Sequence, residues 1–591
     1  MTTSDITITR RPHVTAPADL PADLPPLLAR IYAARGIVSA EALDRSLAKL
    51  LPFTELMGMA AAVDLLQQAL RERQRILIIG DFDADGATSS ALGVRALRAM
   101  GAVQVDYLVP NRFEYGYGLT PEIVAVAAER APDLLITVDN GIASIDGVAA
   151  AKACGMRVLV TDHHLPGDAL PAADAIVNPN QPGDEFPAKS LAGVGVIFYV
   201  MLALRARLRE AGWFGERNIN EPNLASLLDL VALGTVADVV PLEHNNRILV
   251  AQGLARIRQG QCCPGITALI RAAKRRQQDL VATDLGFALG PRLNAAGRLE
   301  DMALGIECLL ADDPDAALLL AQRLDELNRE RREIEAEMKA EAMVILDEME
   351  LAEDAELPVG LCLFESHWHP GVIGILASRV KDRLHRPVII FAETAAESGA
   401  DEIKGSARSV PGLHIRDALD AVAKRHPDLL SKFGGHAMAA GLSLARGDFA
   451  RFCRAFDEEV RRHLGSADLR REILSDGELS AAELTLSLAE SLRAAGPWGQ
   501  GFAEPLFDGV FDIISRRIVG DNHLKLVLRL PGGEQIIDAI AFNTVDHDWP
   551  VDTTQVELAY RLDVNEYNGR RSAQLLVEHI RPCRIPAGSC L

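Results

Sequence analysis

Three features that are absent from this sequence of 591 residues narrow the class of protein. No apolar stretch reaches the length that crosses a membrane, and residues 224–240 are interrupted by Asp229 and Asp238. The first 25 residues are rich in Thr, Pro and Asp and lack the apolar core of a signal peptide. The eight cysteines include no Cys-x-x-Cys pair, which is typical of a reduced protein. We therefore expect a cytoplasmic protein with no membrane segment.

The sequence is also short of positive charge. It contains 61 Lys and Arg residues against 82 Asp and Glu residues, a formal net charge of −21. This deficit alone favours a small molecule or a protein as the partner over a nucleic acid. The location of charge matters more than its total, however, and bound cations would offset acidic residues that form a metal site. Local basic stretches remain, for example at residues 271–276.

The most informative stretch is an apolar run at residues 76–80 that is followed by three carboxylates, Asp81, Asp83 and Asp85. Carboxylates this close together repel one another, and hard divalent cations prefer oxygen ligands, so the stretch predicts a metal site. The same spacing opens an EF-hand calcium loop, but that loop needs Glu at its twelfth position, where this chain has Leu92. The EF-hand loop also follows a helix, whereas this run is typical of a buried strand. A solvated acidic turn is the remaining alternative.

Two further apolar runs, at residues 134–138 and 157–161, also end in polar residues at their carboxyl ends. These residues are Asp139, Asp162, His163 and His164. The other predicted elements are strands at residues 103–109 and 175–177 and helices at residues 89–100, 121–130 and 145–153. Strands that alternate with helices predict a parallel sheet covered by helices. Ligands of such sheets bind outside the carboxyl ends of the strands, so we expect these side chains to meet in one crevice.

Asp238, in the apolar segment 230–242, is a further candidate ligand. A carboxylate in an apolar helix or at its end is costly unless it is paired, and metal ligation explains it better than a helix cap. Carboxylates and imidazole without thiolate favour Mg²⁺ or Mn²⁺. This many ligands can hold two ions, with Asp139 on the central strand as the natural bridge. The implied chemistry is hydrolysis of a phosphate ester, in which metal ions stabilise the attacking and leaving oxygens.

Four motifs resemble the DHH phosphoesterase superfamily in their order: Asp-Phe-Asp-Ala-Asp-Gly at 81–86, Thr-Val-Asp-Asn-Gly at 137–141, Thr-Asp-His-His at 161–164 and Gly-Thr-Val-Ala-Asp-Val at 234–239. Other segments resemble the RecJ-type branch, whose members are 5′→3′ exonucleases of single-stranded DNA. They are residues 290–298 for the catalytic domain, 368–379, 405–409 and 433–441 for the DHH-associated domain, and 496–507 for the start of the OB domain. The resemblance covers most of the chain.

The resemblance implies an α/β fold: a parallel-sheet DHH catalytic domain, a long helix to a DHH-associated α/β domain, and a C-terminal OB-like β-barrel. The implied boundaries are residues 1–50 for an N-terminal extension, 51–312 for the catalytic domain, 313–353 for the connector helix, 354–465 for the DHH-associated domain and 466–591 for the OB domain. The implied function is two-metal hydrolysis of single-stranded DNA from a 5′ end in DNA repair and recombination. Two divalent cations, Mn²⁺ or Mg²⁺, are implied, as are a monomer and a single-strand-binding protein or helicase as partner.

The resemblance also implies a set of site residues. The metal ligands are Asp83, Asp85, Asp139, His163 and Asp238. The catalytic residues are His164, facing the scissile phosphate, and its neighbours Asp162 and Asp81. The substrate-binding residues are Arg112, Ser406, Arg408 and His436 for DNA phosphates, including the 5′ end, and Arg292, Asn294 and Arg298 for the channel.

Two loops in the second half independently suit an anion. Residues 405–409 offer a glycine, a hydroxyl and a guanidinium, as a phosphate site does, although an ordinary polar turn is the alternative. Gly434, Gly435 and His436 precede a predicted apolar helix, whose N-terminus would attract an anion. The alternative for that loop is a helix cap with a surface histidine.

The C-terminal region alternates in the manner of short strands. Strands are predicted at residues 510–518, 523–530, 535–542, 555–564 and 572–579, with a hairpin turn at Asn568-Gly569. Five short strands predict a small barrel such as an OB fold. Candidates for gripping a DNA strand are Tyr560, Arg561, Tyr567, Arg570 and Arg571, although aromatic residues at strand spacing are more often core residues.

Two other functions are compatible with the motifs. A DHH phosphoesterase could act on short oligonucleotides or cyclic dinucleotides, but such a substrate needs no additional strand-binding barrel. A non-catalytic relative could serve as a replication scaffold, but such relatives lose metal ligands that this chain retains.

Overall fold

The computed structural model describes residues 6–583, except residues 13, 16, 18, 111–117, 352–356, 394–401, 466–467, 521, 543, 545–552 and 568. The chain forms two compact units. The larger unit comprises Arg10–Leu327 and Leu474–Leu591, and the smaller unit comprises Met1–Thr9 and Asn328–Ile473. Two short strands, Thr7–Arg10 and Glu472–Ser475, pair with each other.

A five-stranded parallel sheet organises the larger unit, as the alternating strands and helices predicted. In chain order its strands are Arg75–Gly80, Gln104–Leu108, Leu134–Val138, Arg157–Thr161 and Ala175–Val177. In space Leu134–Val138 is central, and Arg75–Gly80 lies between it and Gln104–Leu108. The strand order therefore reverses between the first and third strands, where sheets of this kind bind ligands.

Helices cover both faces of this sheet. The helices of the larger unit are Pro26–Ala33, Met59–Arg71, Ala84–Ala99, Pro121–Ala128, Ile145–Ala153, Gly193–Glu210, Trp213–Glu216, Leu228–Ala237, His244–Arg258, Pro264–Ala272, Ala282–Asp284, Gly290–Leu299, Ala303–Leu310 and Leu486–Ala495. Short 3₁₀ turns span Glu41–Leu43, Leu47–Lys49, Phe53–Glu55, Leu224–Leu227 and Gln277–Asp279, and a π-helical turn spans Leu285–Leu289. In the described residues no single helix has the length and apolar composition of a membrane span, although the bent pair Leu47–Glu55 and Met59–Arg71 passes that test.

The helix after the first strand begins earlier than predicted. We expected it from residue 89, but it spans Ala84–Ala99. Asp83 is its N-cap, because the side chain accepts hydrogen bonds from the backbone N–H groups of Asp85 and Gly86. The acidic motif is therefore a helix start rather than a loop.

A closed five-stranded barrel forms the C-terminal part of the larger unit, as predicted. Its strands are Phe507–Val519, His523–Arg529, Ile536–Ala541, Gln555–Tyr567 and Arg570–Pro582. The strands Ile536–Ala541 and Arg570–Pro582 pair in parallel, and the other pairs are antiparallel. Tyr560 is fully buried, so for this candidate the alternative of a core residue is confirmed, whereas Tyr567 is exposed. Asn568, in the predicted turn, lies outside the described residues.

The smaller unit is built on a mixed sheet with a hydrophobic core on each face. Its strands are Leu361–Phe364, Val388–Glu393, Glu402–Arg408, Lys432–Gly435 and Ala439–Ala445. Its helices are Ile373–Leu384, Ile415–Arg425 and Phe449–His463, with a 3₁₀ turn at Arg446–Asp448. The long helix Pro314–Leu351 corresponds to the predicted connector.

Candidate metal centre

The carboxylates of the first motif are held by backbone N–H groups at helix starts. Asp83 Oδ1 accepts from the N–H of Asp85 at 2.9 Å. The buried Asp85 carboxylate accepts from the N–H groups of Gly193 at 2.7 Å and Val194 at 2.9 Å, at the start of the helix Gly193–Glu210. Helix N-termini stabilise anions, so the fold fixes these two acidic side chains before any cation binds.

Asp139 follows the central strand in a left-handed conformation, with φ of 61°. Asp tolerates this region better than most residues. A side chain at Gly193 would bring its Cβ to 2.6 Å from the Cβ of Asp139, so only glycine fits beside it. Asn140 Nδ2 donates to the carbonyls of Ile79 at 3.1 Å and Val138 at 2.9 Å, which ties two strand ends together. Our sequence reasoning missed both Gly193 and Asn140, although Asn140 lies within one of the quoted motifs.

The two histidines of the third motif have different surroundings. His163 Nε2 lies 3.1 Å from Asp139 Oδ1 and 3.5 Å from Asp238 Oδ2. His164 Nδ1 lies 2.7 Å from Asp162 Oδ1. Asp162 Oδ2 accepts from the N–H of Ile142 at 2.9 Å, so its carboxylate holds the His164 ring in place.

Among the described residues, seven acidic and imidazole residues from sequence-distant motifs converge at the carboxyl edge of the sheet, and Asp162 lies beside them on His164. Their potential ligand atoms form three groups, each within 4.8 Å: Asp81 with Asp83 and Asp139, Asp85 with His163 and Asp238, and Asp139 with His163 and His164. Asp139 and His163 each belong to two groups. This arrangement suits neighbouring cations that share a ligand.

The electrostatics of this cluster favour divalent cations. Burial, together with the charges of Asp85 and Asp83, raises the pKa of Asp139 and of Asp238 well above the ordinary value. Burial and the charge of Asp83 raise the pKa of Asp85 to about 7. These carboxylates therefore crowd negative charge in a buried site, and an oxygen-rich donor set with one or two imidazoles fits Mn²⁺ or Mg²⁺.

His164 has the opposite electrostatic character. Burial lowers its pKa, but the hydrogen bond and the charge of Asp162 outweigh that effect and raise the pKa to about 9. The imidazole is therefore positively charged near neutral pH in the metal-free protein.

The helix Gly290–Leu299 carries three of the predicted substrate residues and packs on the first motif. Asn294 Oδ1 accepts from the N–H of Ala84 at 2.8 Å, next to Asp83 and Asp85. Arg292 Nε donates to Asp325 at 2.9 Å. Arg298 lies in the last turn of the same helix. Arg112 lies outside the described residues.

The remaining substrate candidates lie in the smaller unit. Ser406 and Arg408 are on the strand Glu402–Arg408, and Arg408 Nη1 donates to Ser406 Oγ at 3.1 Å. A Cβ at Gly374 would lie 2.9 Å from Arg408 Nη2 and 2.9 Å from Ser406 Oγ, so glycine permits this close approach.

The prediction of a helix after His436 is wrong. Lys432–Gly435 and Ala439–Ala445 pair as an antiparallel hairpin, and the exposed His436 lies in its turn. The backbone N–H of His436 donates to the Ala439 carbonyl at 2.8 Å. The glycines that suggested a helix start therefore belong to the strand Lys432–Gly435. The N–H of Ile415, the first residue of the helix Ile415–Arg425, donates to the Ala437 carbonyl of the turn at 2.9 Å.

A parallel sheet that gathers buried carboxylates and imidazoles at its switch point defines a metal-dependent phosphoesterase of the DHH type. Residues 75–235 match the model of the DHH family, N-terminal domain. Residues 358–462 match the DHHA1 domain, and residues 475–579 match the RecJ OB domain.

The similarity to individual proteins extends over nearly the whole chain. The single-stranded-DNA-specific exonuclease RecJ of Salmonella typhimurium is 56% identical over 574 residues, which cover 97% of this chain and 99% of that protein. The Escherichia coli protein of the same description is 55% identical, with 97% and 99% covered. The crystal structure of RecJ in complex with Mn²⁺ from Thermus thermophilus superimposes with a TM-score of 0.76 at 32% identity, covering 95% of this chain and 76% of that one. The chain belongs to the RecJ family, which confirms the resemblance.

Proposed function

We infer that this chain is an exonuclease that hydrolyses the phosphodiester bonds of single-stranded DNA with two divalent cations, Mn²⁺ or Mg²⁺. The observation that carries this conclusion is the buried carboxylate–imidazole cluster in a chain with 56% identity to a single-stranded-DNA-specific exonuclease. We further propose that digestion runs from 5′ to 3′ and serves DNA repair and recombination. The alternative of a short-oligonucleotide or cyclic-dinucleotide substrate is disfavoured by the closed barrel.

Incubation of end-labelled DNA tests this function. Single strands should be degraded with Mn²⁺ or Mg²⁺, duplexes should resist, and a chelator should stop nucleotide release. A 5′ label should be released before a 3′ label. Preferential hydrolysis of dinucleotides over long single strands would instead support the small-substrate alternative.

We propose that the cations are held by Asp83, Asp85, Asp139, His163 and Asp238. Bound divalent ions would supply activation of water and neutralisation of the negative charge that develops on the phosphate and leaving-group oxygens. Asp81 lies in one ligand group with Asp83 and Asp139, which supports a role beside the ions. His164, positively charged and oriented by Asp162, is suited to donate a hydrogen bond to a phosphate oxygen.

We propose that the DNA backbone is bound by Arg112, Arg292, Arg298, Ser406, Arg408 and His436. The close approach of the Arg408 guanidinium and the Ser406 hydroxyl supports a phosphate site, because a phosphate accepts hydrogen bonds from both groups. Asn294 uses its side-chain oxygen on Ala84. That contact supports a second role for Asn294, in which it holds the acidic motif in place in addition to contacting the substrate.

Replacing Arg408 by Ala should weaken binding of a 5′-phosphorylated single strand about tenfold or more, because a charge-assisted hydrogen bond contributes roughly 1.5–3 kcal/mol. Turnover at saturating DNA should change little, since the cation ligands are untouched. Equilibrium binding and kcat measured on one oligonucleotide check this split. Arg416→Ala, which removes an exposed arginine of the helix Ile415–Arg425, is the matched control and should bind normally. Unchanged affinity of Arg408→Ala would refute the phosphate site.

We also propose the domain division given by the sequence, with boundaries after residues 50, 312, 353 and 465. The match of separate family models to residues 75–235, 358–462 and 475–579 supports it. We also propose that the protein is a monomer in the reducing cytoplasm. A helicase or a single-strand-binding protein would supply it with single strands. Free cysteines among the described residues are consistent with that compartment. Size-exclusion chromatography with light scattering tests the oligomeric state.

A further inference from the structure

A small hairpin precedes the first strand of the barrel and has no function assigned above. Gly499 and Phe502 close it, with N–H to carbonyl distances of 3.0 and 3.1 Å in the two directions. Gly501, inside the turn, has a left-handed φ of 70°. We call residues 499–502 the Gly499 hairpin.

The Gly499 hairpin rests on Leu242, four residues after the proposed metal ligand Asp238. The N–H of Leu242 donates to the Gln500 carbonyl at 2.7 Å. A Cβ at Gly499 would lie 2.7 Å from Leu242 Cδ1, so the hairpin and Leu242 are in full van der Waals contact. Only three residues separate Asp238 from Leu242, so a backbone fixed at Leu242 restricts the position of Asp238.

The backbone between these residues is strained. Val239 has φ of 61°, a left-handed conformation that a β-branched residue rarely adopts. Such a residue costs on the order of 1–3 kcal/mol and persists only where its surroundings hold it. On the helix side, the N–H of Asp238 donates to the Gly234 carbonyl at 2.9 Å. On the other side, Asn246 Nδ2 donates to the Pro241 carbonyl at 2.9 Å, and the Gly499 hairpin holds Leu242.

Aromatic and cationic side chains anchor the hairpin. The rings of Trp498 and Phe502 stack with centroids 5.0 Å apart, and Tyr32 stacks on Phe502 at 6.3 Å. The guanidinium of Arg247 lies 4.4 Å from the Phe502 ring centroid, and its Nη1 donates to the Leu242 carbonyl at 3.0 Å. The hairpin therefore binds the N–H of Leu242, and the anchoring residue Arg247 binds its carbonyl.

We propose that the Gly499 hairpin is a positioning element of the metal centre, which holds the 239–242 segment so that Asp238 faces His163. This inference rests on the proposed role of Asp238 as a cation ligand. The motif at residues 496–507, which precedes the barrel, would then affect catalysis through the position of Asp238. Groups that orient metal ligands typically alter metal affinity or activity by about 10- to 100-fold when they are changed.

Gly499→Ala tests the proposal, because the added methyl group would lie 2.7 Å from Leu242 Cδ1 and forces the hairpin or Leu242 to shift. We expect Mn²⁺ binding to the DNA-free protein, measured by electron paramagnetic resonance, to weaken at least about tenfold. The Mn²⁺ concentration for half-maximal hydrolysis should rise by the same factor, with KM for single-stranded DNA unchanged. Gly215→Ala is the matched control, because no atom lies within 4 Å of its Cβ position.

A second pair of variants separates positioning from general stability. Phe502→Leu removes the ring beneath Arg247, whereas Phe511→Leu removes a ring of similar burial in the barrel core. Both should lower the melting temperature, and only Phe502→Leu should weaken Mn²⁺ binding. If Gly499→Ala does not fold, the comparison of Phe502→Leu with Phe511→Leu still tests the positioning role. Equal Mn²⁺ affinity in Phe502→Leu and Phe511→Leu, or wild-type affinity in folded Gly499→Ala, would overturn the proposal.

Asp238→Asn distinguishes a failure of this inference from a failure of the proposed exonuclease function. The variant should bind Mn²⁺ more weakly than the wild type. Wild-type Mn²⁺ affinity in Asp238→Asn would remove Asp238 from the metal centre and overturn the positioning role. A wild-type protein that binds Mn²⁺ but degrades no single-stranded DNA would refute the proposed exonuclease alone.

Discussion

Asp139→Ala is expected to abolish hydrolysis of single-stranded DNA, by at least about a thousandfold, while the protein remains folded. Asp139 belongs to two of the three potential ligand groups, so its loss removes an oxygen from both halves of the centre. Release of labelled nucleotides at saturating Mn²⁺ measures the rate, and circular dichroism reports the fold. Asp146→Asn, at an exposed position of the helix Ile145–Ala153, is the control and should keep full activity. A wild-type rate in Asp139→Ala would defeat the shared-ligand hypothesis.

The same position should not be needed for the stability of the metal-free protein. Burial and the charges of Asp85 and Asp83 raise the pKa of Asp139 well above its usual range, so its ionised form is unfavourable in the folded state. Asp139→Asn, which keeps the shape of the side chain, should melt at or above the wild-type temperature without cations. A large loss of stability would mean that Asp139 supports the fold rather than the chemistry.

Removal of divalent cations is expected to stop hydrolysis and to lower the melting temperature of the wild type. Cations that bind only the folded state stabilise it by about 2.7 kcal/mol at a hundredfold excess over Kd. Differential scanning fluorimetry with a chelator, Mn²⁺ or Mg²⁺ measures the shift. The shift should shrink in Asp139→Asn, and an equal shift in both proteins would mean that the stabilising ion binds elsewhere.

The stability of the metal-free protein should depend on pH. The pKa of Asp85 is about 7 in the folded protein, against about 3.9 in an unfolded chain. A raised folded-state pKa contributes stability that is fully present below about pH 4 and is lost as pH rises through about 7. The chelated wild type should therefore lose stability from pH 5 to pH 8 relative to Asp85→Asn. Parallel stability profiles of the two proteins would contradict the raised pKa.

The ends of the buried strands were the most predictable part of this protein. An apolar run followed by a carboxylate is a local pattern, and the carboxyl ends of parallel strands meet at one edge. Asp81, Asp139 and Asp162 could therefore be assigned to a common crevice from their positions alone. The start of the next helix was predicted too late, because the motif with Asp83 resembles a loop until its side chain is seen to cap the helix.

Predictions that needed a specific packing partner were less successful. Tyr560 has the spacing of a strand residue on either face, and only closure of the barrel buries it. The glycines before His436 suit a helix start or a hairpin turn equally, and pairing with Ala439–Ala445 selects the hairpin. Gly193 was overlooked, because its importance comes from Asp139, which lies far away in the chain.

The alternation of strands and helices in the parallel sheet, the gathering of carboxylates at its carboxyl edge and the family could be predicted from the amino-acid sequence alone, because each depends on short motifs and local periodicity. Only the tertiary structure decided that Asn294 holds Ala84, that Asp162 orients His164 and that the Gly499 hairpin supports Leu242. The physical reason is that a hydrogen-bond or packing partner is selected when the whole chain collapses around one core. Composition and spacing describe what a side chain can do, whereas its neighbours in the folded chain determine what it does.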